Sequence, residues 1–166
     1  MKTALVITSY RRSEALRLVL CSVTAQTRIP DEVLIADDGS GVDVQSVLDE
    51  FRDILPIRIV WQPDKSFRAA RIRNIGVLAT ASDHLVFVDG DCLLPPAFIT
   101  VHRKLAEEGR VVSGGRRLLC ALDTRLAFSD GHNSLDWVFK HWKFLRLPLG
   151  VCRDFMPYAW ESVRSC

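Results

Sequence analysis

The sequence predicts an α/β fold built on a mostly parallel sheet with helices on both faces. Three observations carry this reading. Short, continuously apolar, β-rich runs recur through residues 1–113; amphipathic helical stretches separate them; and polar clusters close three of the runs. Strands covered on both faces read as unbroken apolar segments, and their alternation with helices is the pattern of βαβ units.

Ala4–Thr8 (ALVIT) is the first strand. Ser13 stands where an N-cap is expected, with Glu14 in the first turn, and Leu16, Val19, Leu20 and Val23 follow at i, i+3, i+4 and i+7. After a turn containing Pro30, Val33–Ala36 forms a second strand that ends in Asp37-Asp38-Gly39-Ser40. Val44, Val47, Leu48 and Phe51 mark a second helix, and Ile57–Trp61 a third strand. Phe67 to Thr80 is free of Pro and rich in Ala, Arg and Ile, so it reads as a helix; Leu85–Val88 is the fourth strand. Pro95 and Pro96 suit the start of a helix in which Phe98, His102 and Leu105 share a face until Gly109 stops it. Val111–Val112 opens a short fifth strand. From about Ala121 the pattern changes: Leu135, Val138, Trp142 and Leu145 fall at helical spacing, with Lys140, Lys143 and Arg146 among them, and the rest to Cys166 is aromatic and irregular.

A chain of 166 residues, 48% hydrophobic and 25% charged, is long enough for one domain with its own core. Residues 1–166 are therefore read as a single domain, with 121–166 as its extension. The net charge of +2 gives no ground for a nucleic-acid partner. Residues 101–166 carry 11 Lys/Arg against 7 Asp/Glu, which suits an anionic partner or a membrane surface. Cys21, Cys92, Cys120, Cys152 and Cys166 form no CxxC and no zinc-type cluster, and read as reduced cytosolic thiols. The opening MKTALVITSY passes from one Lys into an apolar run of strand length, too short for a signal peptide, and no segment approaches a transmembrane span. A soluble, cytoplasmic protein is expected.

Ligands of parallel sheets bind outside the carboxyl ends of the strands. Three polar clusters lie there: Thr8-Ser9-Tyr10, Asp37-Asp38-Gly39-Ser40 and Asp89-Gly90-Asp91. In LVFVDGDC, Asp89 and Asp91 stand one residue apart with almost nothing near them in sequence to neutralise their charge. A hard divalent ion, Mn²⁺ or Mg²⁺, held by the carboxylates and by phosphate oxygens would relieve that repulsion and stabilise a departing phosphate. The plain alternative is a turn after a strand. Asp37 and Asp38 can accept from a base N–H or a ribose hydroxyl; alternatively Asp38 or Ser40 caps the following helix. Thr8 and Tyr10 offer hydroxyls, and Tyr10 also a ring face for stacking. Residues 62–76 carry Lys65, Arg68, Arg71 and Arg73 against Asp64. Arg68 and Arg71 share a helix face while Arg73 points elsewhere; such a face suits a pyrophosphate near a helix N-terminus, or is simply solvated. His84, His102, His132 and His141 are scattered and form no catalytic arrangement.

Taken together, these motifs resemble the nucleotide-sugar-binding part of a family 2 glycosyltransferase with the GT-A fold. ALVITSYRR resembles the family's first strand and its Thr-Ser-Tyr-Asn type ending, and QTRIPDEVLIADDGS its next strand. FRAARIRNIG resembles the helix carrying Arg-Asn-x-Gly, and LVFVDGDC the DxD strand. The resemblance implies that Thr8 and Tyr10 contact the base, that Asp38 or Asp37 accepts from base or ribose, and that Arg68 sits near the base or phosphates. It implies Asp89 near the ribose or metal and Asp91 as the main metal ligand. The reaction implied is inverting, metal-dependent transfer from a nucleotide-diphospho-sugar, with UDP favoured. Its acceptor would be a glycan, a lipopolysaccharide or a lipid-linked chain of cell-surface polysaccharide synthesis. Arg11 stands where the family often has Asn. Such enzymes continue past a segment like WESVRSC into an acceptor-side region with the general base, which is expected beyond Cys166; Glu161 and Asp154 are the nearby acids.

Two other readings compete. A donor-binding fragment without transfer activity would bind nucleotide and metal without turnover. A haloacid-dehalogenase-type phosphatase also ends a strand in DxD, although Cys92 departs from its motif. A dinucleotide-binding dehydrogenase fails, because TSYRRSEA replaces GxGxxG after the first strand. The Leu135–Leu145 stretch fits peripheral contact with the inner face of a membrane, or packing on the sheet or over an acceptor cleft; exposed aromatics there also suit a homodimer.

Overall fold

The computed structural model of the protein describes residues 1–116, 118–129 and the backbone of 158–160. It divides into two compact units, Met1–Thr100 and Val101–Cys166. The first holds β1 (Thr3–Ser9), α1 (Ser13–Thr24), β2 (Glu32–Asp37), α2 (Val42–Phe51), β3 (Ile57–Trp61), α3 (Ala69–Ala79) and β4 (His84–Asp89). Helix α4 (Phe98–Leu105) follows. In the second unit β5 (Val111–Ser113) pairs antiparallel with β6 (Tyr158–Trp160), and α5 (Ala121–Ser129) lies between them in sequence.

The four strands of the first unit form a parallel sheet in the order β3-β2-β1-β4. Ala4, Leu5, Val6 and Ile7 are fully buried, as an unbroken apolar strand must be when both faces are covered. Val6, Leu34 and Ala36 point to one face and cluster with Ile72 of α3, with Val60, Ile75 and Ala79 packed against them. Gly76 lets α3 approach: a Cβ there would lie 3.3 Å from Val6 Cγ1 and 3.6 Å from Leu34 Cδ2. Leu5, Ile7, Val33 and Ile35 alternate to the opposite face and are equally buried. From β1 the chain winds outward to β3, then reverses to β4 on the other side of β1. Right-handed crossovers therefore put α3 opposite α1 and α2, which pack on one another. Helices on both faces of a parallel sheet were the expectation, and the reversal creates a switch point between β1 and β4.

Several local expectations need correction. Ser13 is the first helical residue of α1; the cap is Arg12, which makes no side-chain cap bond. Gly41 caps α2, so neither Asp38 nor Ser40 does. Instead Asp38 Oδ2 accepts the Arg68 N–H at 2.8 Å, closing the N-terminus of α3 from the end of a neighbouring strand. That tether explains why α3 begins at Ala69 rather than Phe67, whose side chain is 85% exposed beyond a left-handed Ser66 (φ 72). Helix α5 was not anticipated; only Asp123 and Ala127 of it are buried, too few for a readable stripe. The Leu135–Leu145 stretch, Asp154, Glu161, Cys152, Cys166, His132 and His141 lie outside the described residues. No helix among the described residues is long and apolar enough to cross a membrane.

Candidate active site

The carboxyl ends of β1 and β4 lie side by side at the switch point, with Thr8 in register with Asp89. The Gly90 N–H donates to the Thr8 carbonyl at 2.8 Å. A Cβ on Gly90 would sit 2.7 Å from that oxygen, so the residue between the two aspartates has to be glycine here. From α3, Arg73 reaches both strands: Nη2 donates to Asp89 at 2.6 Å and Nε to Thr8 Oγ1 at 3.0 Å. Arg12, at the start of α1, donates to Asp91 Oδ2 at 3.0 Å. The two acids thus have counter-charges, contrary to the sequence expectation. Their partners lie 16 and 79 residues away, where the local sequence gives no sign of them.

Ligand atoms of Asp89, Asp91 and Cys92 lie within 4.8 Å of one another. The two carboxylates are hard oxygen donors, and their side chains are 43% and 47% exposed, so the set fits a solvent-accessible Mg²⁺ or Mn²⁺ better than a soft metal. The Cys92 thiol has no natural part in such a set. An exposed pair such as Arg12–Asp91 is worth at most about 1 kcal/mol, so it does not bar a cation.

The acids closing β2 are different, each only 1% exposed. Asp37 accepts from the Ser40 N–H at 2.9 Å and the Ser40 hydroxyl at 2.5 Å. Burial raises its pKa above the usual carboxylate value, while the Ser40 hydrogen bonds pull the other way. Asp38 accepts from Gln62 Nε2 as well as from the Arg68 backbone, and Gln62 Oε1 accepts from Arg71. The Arg68 guanidinium donates to the Pro63 carbonyl, and its Nε is buried without a hydrogen-bond partner. Arg68 and Arg71 therefore brace the β3–α3 connection, and it is Arg73 that faces the acidic pair. Gly39 (φ 94) permits this close packing, since a Cβ would fall 2.5 Å from the Asp64 nitrogen.

Tyr10 is 42% exposed, and its hydroxyl lies 3.3 Å from Asp64 Oδ2. Arg11 donates to the same oxygen at 2.6 Å, with its guanidinium 5.3 Å from the Tyr10 ring centre. Arg11 has φ 49, and its N–H donates to Ser40 Oγ at 2.8 Å. Left-handed backbone is where Asn is favoured over most non-glycine residues, so Arg11 holds an uncommon conformation here.

Of the sequence-predicted residues, Thr8, Asp89 and Asp91 gather at one point. The Tyr10 hydroxyl lies by Asp64, buried Asp38 braces the half-buried Arg68 through its backbone, and buried Asp37 holds Ser40. Sequence reasoning missed Arg12, Gln62, Asp64 and Arg73. Only Arg73 left a signal: it follows the sheet-facing Ile72 and precedes Gly76 by three, so it lies on the inward side of α3.

The sequence profile described as "Glycosyl transferase family 2" matches residues 4–157. The chain belongs to glycosyl transferase family 2. It is 32% identical to the hyaluronan synthase of Pasteurella multocida over 105 residues, 63% of this chain and 11% of that protein. It is 33% identical to the validoxylamine A glucosyltransferase of Streptomyces hygroscopicus subsp. limoneus over 98 residues, 58% of this chain and 22% of that one. The match thus spans less than a quarter of either relative. Among solved structures, S. aureus TarS 1–349 in complex with UDP-GlcNAc superposes with a TM-score of 0.60 at 19% identity, over 73% of this chain and 38% of that one. The fold is the GT-A fold of these transferases, and family 2 membership displaces the phosphatase reading of the DxD strand.

Proposed function

We propose that this chain binds the donor of a metal-dependent, inverting glycosyltransferase, which moves a sugar from a nucleotide-diphospho-sugar, UDP-linked by preference, to a glycan, lipopolysaccharide or lipid-linked acceptor. One observation carries the reading: two accessible carboxylates at the switch point, with Asp89 joined to Thr8 through Arg73. The relatives named above are synthases and transferases of sugars, and the TarS structure holds UDP-GlcNAc, which supports a UDP-sugar donor.

In this reading Asp91 is the main ligand of Mn²⁺ or Mg²⁺, with Asp89 beside it near the ribose. The ion, when bound, supplies charge stabilisation for the leaving diphosphate. Thr8 and Tyr10 border the base. Asp38 accepts from base or ribose as the Gln62 amide yields its place, and Arg68 lies toward the base or phosphates. Asp37 acts one step back, holding Ser40 and through it the Arg11 backbone. Arg73 fixes the direction of Asp89. Activation of the acceptor hydroxyl needs a carboxylate on the acceptor side, and we assign that role to a segment outside the described residues, with 121–166 as the acceptor-side extension of one domain. Cytoplasmic location at the inner face of a membrane is supported by the free thiols Cys21, Cys92 and Cys120 and by the basic balance of residues 101–166.

Calorimetric titration of UDP with and without Mn²⁺, repeated on Asp91→Ala, tests the donor site. Micromolar binding that needs both the metal and Asp91 is expected. Metal-dependent binding without sugar transfer to any acceptor would select the binding-only alternative, and no binding under any condition would sink both.

A further inference from the structure

The turn between β1 and α1 presents two adjacent guanidinium groups to acids on two other loops: Arg11 to Asp64, and Arg12 to Asp91. The two ion pairs at the DxD motif differ in kind. Arg73 holds Asp89 while also bonded to Thr8, so it is anchored at two points on neighbouring strands. Arg12 holds Asp91 Oδ2 from a single point, and its side chain is 68% exposed. Its backbone is fixed independently, because the Arg12 carbonyl accepts the Leu16 N–H at 3.0 Å as the first bond of α1. The side chain can therefore leave without disturbing the helix. A divalent cation on Asp91 would either take the oxygen that Arg12 now uses or sit beside a fixed positive charge, and the second arrangement is repulsive.

We propose that Arg12 is an internal counter-ion for Asp91 that competes with the divalent cation, and that cation binding releases its guanidinium toward the anionic donor. The inference rests on the metal reading of the preceding subsection. It adds a residue on α1 that sets how readily the site loads, with Arg73 as the partner that stays.

The test is titration of Mn²⁺ into the full chain without nucleotide, at low ionic strength, followed by the paramagnetic resonance signal of free Mn²⁺. Wild type, Arg12→Gln, Arg12→Met, Arg12→Lys and Asp91→Asn are compared. Removing an exposed competing charge should tighten Mn²⁺ binding about two- to fivefold in the Gln and Met variants. Arg12→Lys, which keeps the charge, should bind as wild type does. Equal affinity in wild type and both neutral variants overturns the proposal while leaving the metal site intact. Absence of Mn²⁺ binding in wild type and neutral variants alike, or binding that survives Asp91→Asn, overturns the proposal together with the metal reading beneath it.

Discussion

The Arg73 guanidinium ties the Thr8 hydroxyl to the Asp89 carboxylate, so the relation between two strand ends rests on one side chain delivered by a helix. Arg73→Met keeps the apolar stem and removes both bonds. Hydrogen bonds to a charged group are worth about 1.5–3 kcal/mol when well shielded, and partial exposure here reduces that to about 1–2 kcal/mol. UDP affinity in the presence of Mn²⁺ should then fall about 5- to 30-fold by calorimetry, with Arg73→Lys intermediate because one ammonium cannot reproduce the fork. Unchanged affinity in Arg73→Met would remove Arg73 from the site. Asp37 allows a separate test of the buried end of β2. Its carboxyl titrates above the usual value of 3.8 because burial disfavours the anion, so the folded state keeps that proton to higher pH than the unfolded chain. The stability this contributes is complete below the unfolded value and is lost as pH rises through the raised one. Asp37→Asn carries no charge at any pH and can still accept from the Ser40 N–H. The stability of wild type minus that of Asp37→Asn, from urea denaturation at a series of pH values, should decline as pH rises from about 3.5 toward neutrality. A flat or rising difference would contradict the raised value.

Helix α3 carries more of the site than its weakly amphipathic sequence suggests, since only Ala69, Ile72 and Gly76 of it are buried. Its distance from the sheet is set at Gly76, against the fully buried Val6 and Leu34. Gly76→Leu would force a side chain into a filled space and should cost about 1–3 kcal/mol of stability in urea denaturation. It should weaken UDP binding as well, because Arg73 rides on the same helix. Loss of stability with donor affinity intact would mean that the loops, and not α3, hold the site. The helices with strong apolar stripes were legible beforehand. Leu16, Val19, Leu20 and Val23 of α1 and Val44, Val47, Leu48 and Phe51 of α2 are all buried as their spacing predicts. The start of α3 was not legible: it depends on a partner from elsewhere in the chain, Asp38 taking the Arg68 N–H, and no capping residue in the local sequence announces it. Helix α5 escaped for the complementary reason, having almost no buried stripe to read.

In the first unit as a whole, the candidate site is assembled from the ends of four strands and the start of two helices, and this is why the residues that close the strands were readable and those that reach in from the loops and helices were not. Thr8, Asp37, Asp38 and Asp89 sit at strand ends, where apolar runs stop abruptly, whereas Arg12, Asp64 and Arg73 reach the site across sequence separations that no periodicity encodes. The same construction has a thermodynamic consequence. A nucleotide and ion that touch β1, β2 and β4 together bind only the folded sheet, so their free energy of binding adds to its stability. At one hundred times the dissociation constant the gain is about 2.7 kcal/mol, which for a chain of this size corresponds to a rise of roughly 5–10 °C in the unfolding midpoint. Circular dichroism melts should show that rise with UDP and Mn²⁺ together, little with UDP in EDTA, and none with both ligands on Asp91→Ala. An equal rise in EDTA would keep the nucleotide site and remove the cation from it; a rise retained in Asp91→Ala would move the ion to other ligands.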